Sequence, residues 1–284
     1  MPIQSMEKKC DLASRMEAAI EERRFDVPLL PTVASRILEL CHDEEADARQ
    51  ITDLIQSDQS LAAHVMKLAN SPVYSPNGNL VSLQQAITRL GMNNISEIAV
   101  SSSLNARTFS IPKLQDELDS IWTHSLATAL WAKEIARECR NNVECVFLCG
   151  LLHSIGKPAV LQLATDLSRN NPDESGLENW RALVNSFHQR LGLAIAAHWK
   201  MPRVVVEVLQ NIEPFSRAAL EHMPTAIVHA ATYFAKHLMD PALQPVDQLF
   251  ELESLQPLNL YQEQVELLVS RMDEVKACME TLKS

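Results

Sequence analysis

Apolar residues recur along this chain every three or four positions, the spacing of one helix face, and almost nowhere show the alternation that strands require. At the start, Ile3, Met6, Cys10, Ala13, Met16 and Ile20 predict a helix reaching about Arg24. The run Phe25-Asp26-Val27-Pro28-Leu29-Leu30-Pro31 interrupts it, and Val33, Ile37, Leu40 and Cys41 predict a second helix. Ile51, Leu54 and Ile55 predict a short helix ending before Ser57-Asp58. Leu61, Val65 and Leu68 predict another that stops at Asn70-Ser71-Pro72, because Pro72 disfavours helix at Ser71 and donates no amide. Asn77-Gly78 adds a turn. Ser82-Leu83-Gln84-Gln85 reads as a capping box, Gly91 closes that helix, and Asn94-Ile95-Ser96-Glu97 opens one reaching about Thr108.

Ile111-Pro112 marks a boundary. Beyond it a long helical pattern (Leu118, Ile121, Trp122, Ser125, Leu126, Ala129, Ala132, Ile135) carries His124. Asn142 caps the next helix, which ends at His153, and Pro158 starts one that reaches Ser168. The polar stretch at 170–176 is the most loop-like in the chain. Residues 177–188 and 191–199 read as two helical segments, followed by 203–210, 225–239 and a single terminal helix over 261–282. The expected fold class is all-α, with an amino-terminal lobe over 1–110 and a second helical lobe, with its terminal helix, over 111–284.

Composition narrows the function. The chain has 284 residues, 46% hydrophobic and 21% charged, and a formal charge of −11. That acidity argues against a general affinity for nucleic acid or anionic membranes. No uncharged apolar run reaches the roughly 20 residues of a membrane span, and the first residues do not resemble a signal peptide. The six cysteines form no Cys-x-x-Cys pair and mostly fall on apolar faces, which suits reduced thiols in a cytoplasmic protein. The acidic stretch from Asp43 to Asp47 reads as a solvated loop leading into a helix.

The most informative stretch is Gly150-Leu151-Leu152-His153-Ser154-Ile155-Gly156-Lys157. Gly156 is expected to take the positive φ that ends one helix, and Pro158 suits the first turn of the next. Such a bend can present a His-Asp pair to one metal ion, but here the second residue is Ser154, whose hydroxyl stays protonated and brings no charge. His229, Tyr233 and His237 share a helix face at a spacing that also suits zinc, though no carboxylate joins them. Glycine-rich phosphate loops are absent.

Leu30-Pro31, Leu61-Ala62-Ala63 through Asn70-Ser71, Ser82-Leu83-Gln84-Gln85-Ala86-Ile87, Leu90-Gly91 and Trp122-Thr123-His124-Ser125 come first in order. Gly150 to Lys157 and Leu191-Gly192 to Trp199-Lys200-Met201-Pro202 follow. In that order, over residues 27–234, the chain resembles the HDOD domain, a bacterial regulatory relative of the HD metal-dependent phosphohydrolases. The resemblance implies a pocket in which His124 matches the first histidine of the active relatives, His153 that of the His-Asp doublet, and His188 a later one. Ser154 stands for the doublet's aspartate and Thr232 for the distal aspartate, while Asn211-Ile212-Glu213 precedes Pro214 where relatives carry paired histidines. The expectation is a degenerate pocket without metal, cofactor or catalysis, and a regulator acting on other signalling proteins. Two alternatives stay open: a small-molecule or nucleotide sensor, and a divergent phosphohydrolase. Asn70, at a helix end, is expected to fix the exit of the chain and with it the geometry between the lobes.

Overall fold

The structure, a computed structural model, describes residues 2–28, 30–41, 47–71, 74, 80–107, 109, 111–168, 180–215 and 222–283. The expectations at 43–46, Pro72, Asn77-Gly78 and 170–176 fall outside them. Among the described residues the chain is all-α, with no strand.

The helices are α1 (Pro2–Glu21), α2 (Thr32–Cys41), α3 (Ala48–Gln56), α4 (Gln59–Ala69), α5 (Leu83–Leu90), α6 (Met92–Arg107) and α7 (Gln115–Glu138). There follow α8 (Val143–Leu152), α9 (Gly156–Ser168), α10 (Trp180–His198), α11 (Arg203–Asn211), α12 (Met223–Met239), α13 (Gln262–Ser270) and α14 (Met272–Lys283). Local chemistry sets many ends. The Asp47, Asp58, Ser82 and Asn142 side chains accept from backbone amides to start α3, α4, α5 and α8. Gly91 closes α5 at φ 84°, a conformation other side chains resist. With so few glycines, Arg23, Arg140 and Lys200 adopt φ 53° just beyond α1, α7 and α10.

Helices α2 to α6 pack together as one lobe; α7, α8, α12 and α14 form the centre of the other, with α9 and α10 alongside. Trp131 of α7 and Phe234 of α12 are fully buried with ring centroids 4.9 Å apart, a pairing worth about 0.5–1.5 kcal/mol beyond its burial. Helix α1 belongs spatially with the second lobe. It packs on α9 and α10, with Leu12, Met16 and Ala19 buried, Arg15 Nη2 donating to the Leu167 carbonyl at 2.5 Å, and Glu17 paired with Arg190 at 2.5 Å. The lobes meet where Lys133 of α7 pairs with Glu97 of α6, and where the Trp199 indole donates to the Pro28 carbonyl at 2.7 Å.

Three expectations about helices need correcting. First, α10 runs unbroken through 189–190. The polar residues there stay in the helix and find partners on other elements: Gln189 donates to the Gln210 and Glu213 carbonyls at 2.8 and 3.0 Å, and Arg190 pairs with Glu17. Second, the terminal helix is broken at Arg271, which ion-pairs with Glu134 at 2.8 Å and reaches Glu138 at 3.8 Å, so that α14 packs back on α7. Third, α6 begins at Met92, so Asn94 lies inside its first turn and donates to the last carbonyl of α5, Leu90, at 2.7 Å. The window Cys145–Ser168 is apolar enough to cross a membrane by composition, yet it is 83% buried and spans the break between α8 and α9.

Candidate functional site

The bend between α8 and α9 takes its shape from glycines, for a reason other than the one expected. Gly156 does not adopt a positive φ; it starts α9. A Cβ there would lie 1.8 Å from the His188 carbonyl oxygen and 2.7 Å from the Gly192 amide nitrogen, so only glycine lets α9 touch the α10 backbone. At Gly150, similarly, a Cβ would come within 2.8 Å of the Ala129 Cα on α7. These two approaches bring α7, α8, α9 and α10 together around His153.

His153 caps the C-terminus of α8 and is buried. Its Nδ1 lies 2.7 Å from the Gly150 carbonyl, so that nitrogen carries the proton and Nε2 is left as an acceptor. His124, on α7, faces it with ring centroids 5.4 Å apart. The Nε2 atoms of both rings are buried without a hydrogen-bond partner among the described residues. Burial holds His153 well below the usual imidazole range, and His124 and Lys157 act in the same direction. Burial likewise lowers His124 to about 4, aided by Lys157 and Lys236 and opposed by the Thr232 carbonyl and Glu213. Both rings are therefore neutral at physiological pH.

The two positions that would carry carboxylates point elsewhere. The Ser154 hydroxyl is 2.6 Å from that of Ser125, whose own Oγ lies 3.0 Å from the Ile121 carbonyl. Thr232 is buried and donates to the His229 carbonyl of its own helix at 2.7 Å. His188 is held by its Nδ1 on the Val184 carbonyl and by its Nε2, 2.8 Å from Glu213. Lys157 approaches the other oxygen of Glu213 at 3.6 Å. The bond from His188 is the main reason that the Glu213 carboxyl falls well below the usual carboxylate range, against the effect of burial, with Lys157 adding to it. The charge of Glu213 also favours the protonated forms of His124, His153, His229 and Lys236, against the effect of burial on each.

The structure therefore brings His124, His153 and Thr232 together, sets the His188–Glu213–Lys157 chain beside them, and turns the Ser154 hydroxyl away. Sequence reasoning gave no role to Glu213, Lys157 or Lys236. The signal for Glu213 was an acid standing immediately before Pro214 where histidines were expected; the lysines carried no signal. His229 lies apart from the pair: it stacks on Phe215 at 3.6 Å and its Nδ1 is 3.1 Å from the Ser254 hydroxyl. His237 bonds the Gln244 carbonyl, so the i, i+4, i+8 face forms no ligand set. Asn70 caps α4 and clasps Leu80: its Oδ1 accepts from the Leu80 amide at 2.7 Å, and its Nδ2 donates to the carbonyls of Leu80 and Met66 at 3.0 and 3.1 Å.

A divalent metal of the HD type needs hard, charged oxygen ligands beside its imidazoles. The donor set here does not fit. Two neutral rings are joined by hydroxyls already engaged, and the one carboxylate is already engaged by His188 and Lys157. Among the described residues, no three His, Cys, Asp or Glu side chains converge as a ligand set.

A profile of the HDOD domain matches residues 27–214, and the chain belongs to that family. Among solved structures it superimposes on an HDOD domain protein of unknown function from Geobacter sulfurreducens, with TM-score 0.72 and 20% identity, covering 98% of this chain and 99% of the other. A protein from Shewanella amazonensis SB2B, provisionally assigned as a metal-dependent phosphohydrolase, gives TM-score 0.75 at 21% identity, covering 96% and 99%. A provisionally assigned signal transduction protein from Marinobacter aquaeolei VT8 gives 0.66 at 22%, covering 98% and 66%. An uncharacterised protein of Treponema pallidum (strain Nichols) is 23% identical over 222 residues, 74% of this chain; the match spans 42% of that relative's length. At such identities the structural likeness is one of fold.

Proposed function

We infer that this chain is a non-catalytic regulatory protein of a bacterial cytoplasm, acting through contacts with other signalling proteins rather than with nucleic acid or membrane. One observation carries the reading. The pocket that would hold a hydrolytic metal has lost its charged oxygens, and its remaining acid is bound internally by His188 and Lys157. Membership of the HDOD family supports it. The test is hydrolysis of bis(p-nitrophenyl) phosphate and a cyclic dinucleotide panel with Mg²⁺, Mn²⁺ or Fe²⁺. The wild type and Ser154→Asp should show no turnover above a His124→Ala/His153→Ala control. Metal-dependent turnover lost in that control would establish a hydrolase.

A second reading, a small-molecule sensor, draws on the unpartnered Nε2 atoms of His124 and His153, since buried polar atoms normally have partners. A thermal shift with a nucleotide, abolished by His124→Ala, would favour it over the first.

A further inference from the structure

Between Leu238 and Ser270 the chain holds Asp240, Asp247, Glu251, Glu253, Glu263 and Glu266, and no Lys, Arg or His. This segment carries −6 of the chain's net −11. It lies beyond the residues matched by the family profile, and its Ser254 hydroxyl meets His229, outside the His124–His153 pair. Its apolar residues are also unusual. Among the described residues, six large apolar side chains are exposed, and five of them, Met239, Leu243, Phe250, Tyr261 and Leu267, fall here.

After α12 the chain forms two 3₁₀ turns, Val246–Glu251 and Glu253–Leu255, before α13. Between these turns and the start of α13 lies an open groove of about 740 Å³. Leu255, Leu260 and Val265 are buried beneath it. Phe250 and Tyr261 stand at its sides, 36% and 68% exposed, and Glu251 and Glu253 line its edge. Exposed aromatics over an apolar floor are the usual anchors of a protein interface.

We propose that this groove docks a basic amphipathic segment of a partner protein. The partner's apolar side chains seat between Phe250 and Tyr261, and its Lys or Arg side chains face the acids. The proposal rests on the reading that the chain works through protein contacts, and it supplies the chemistry of the contact. Charge selects the occupant. A second copy meeting the groove by two-fold symmetry would set the same acidic face against itself, and nucleic acid or an anionic lipid surface would be repelled in the same way. A basic helix gains the apolar burial and the attraction together.

The probe is a fluorescein-labelled amphipathic Leu/Lys helix, with a Leu/Glu helix of the same apolar pattern and a Lys peptide of scrambled pattern as comparisons. Fluorescence anisotropy should show binding of the Leu/Lys helix alone, weakening as salt rises. Phe250→Ala/Tyr261→Ala should weaken it about tenfold or more, the loss expected of aromatic anchors. Glu251→Gln/Glu253→Gln should weaken it too, whereas Glu274→Gln/Glu280→Gln, the same charge change on α14, should leave it intact. All four positions in the groove variants are solvent-accessible, so both should melt like wild type. Equal binding by wild type and the groove variants would overturn the proposal, as would equal binding of the Leu/Glu helix. So would a dimer in sedimentation that Phe250→Ala/Tyr261→Ala dissolves. None of these results bears on turnover, and phosphodiester hydrolysis would overturn the regulatory reading while leaving the peptide result standing.

Discussion

His124 and His153 tie the protein's stability to pH. Both are held neutral by burial: His124 titrates at about 4, His153 well below its usual range, against about 6.5 in an unfolded chain. Between pH 6.5 and 4 the unfolded chain binds protons that the folded one refuses, so stability falls as pH falls. The slope is about 1.4 kcal/mol per pH unit for each proton withheld. Glu213, whose folded pKa is also depressed, acts in the same sense but in a lower window: its contribution is fully present above about 4.5 and is lost as pH falls further, so the upper window belongs to the histidines. Urea denaturation at pH 7, 6 and 5 should show this loss, and His124→Asn should make the slope shallower by about one proton. A slope unchanged in that variant would mean that His124 is already charged when folded. Gly156 has a separate importance. Any side chain there collides with backbone, which cannot rotate away, so Gly156→Ala should cost about 3 kcal/mol or more, read as a fall in urea midpoint. The sequence showed a glycine at a bend but not what faced it, because a close approach across 32 to 36 positions leaves no local pattern.

Element ends show what the sequence does reveal. The caps at Ser82 and Asn142 and the stop at Gly91 were legible, because each bonds or bends within a few residues of itself. The unbroken α10 and the break at Arg271 were not, since Gln189 and Arg190 find their partners on other elements, and Arg271 is drawn to acids on α7. In the candidate site, the histidines and the missing carboxylates could be read from motif order, whereas the ion-paired chain through Glu213 required the fold. Asn70 lies between these cases: its cap on α4 is local, and its clasp on Leu80 reaches across ten positions. Asn70→Ala removes three bonds and leaves both backbone groups of Leu80 to find other partners, an expected cost of about 1–3 kcal/mol. If the clasp also sets the lobes through α5 and α6, energy transfer between labels on α5 and α12 should change in the folded variant. An unchanged distance returns Asn70 to a local clasp.

Across the whole molecule, the two lobes share a buried charge pair. Lys133 is 7% exposed, bonds Glu97 and the Asn94 amide oxygen of α6, and lies 5.5 Å from the Phe147 ring centroid. Lys133→Met would leave the largely buried Glu97 without its ammonium, which costs up to about 3–5 kcal/mol. Lys133→Met/Glu97→Leu should recover most of that loss, because an apolar pair carries no charge to desolvate. Urea denaturation of the two variants checks this, and equal destabilisation in both would show that shape rather than charge holds the junction.

The docking of α1 on α9 and α10 has a consequence during synthesis. Its buried face, with Leu12, Met16 and Ala19, emerges from the ribosome long before the residues up to His198 that will cover it. At roughly 5–20 residues per second, that face waits on the order of ten to forty seconds for its partner. For that interval the first helix is an apolar strip attached to a half-made protein.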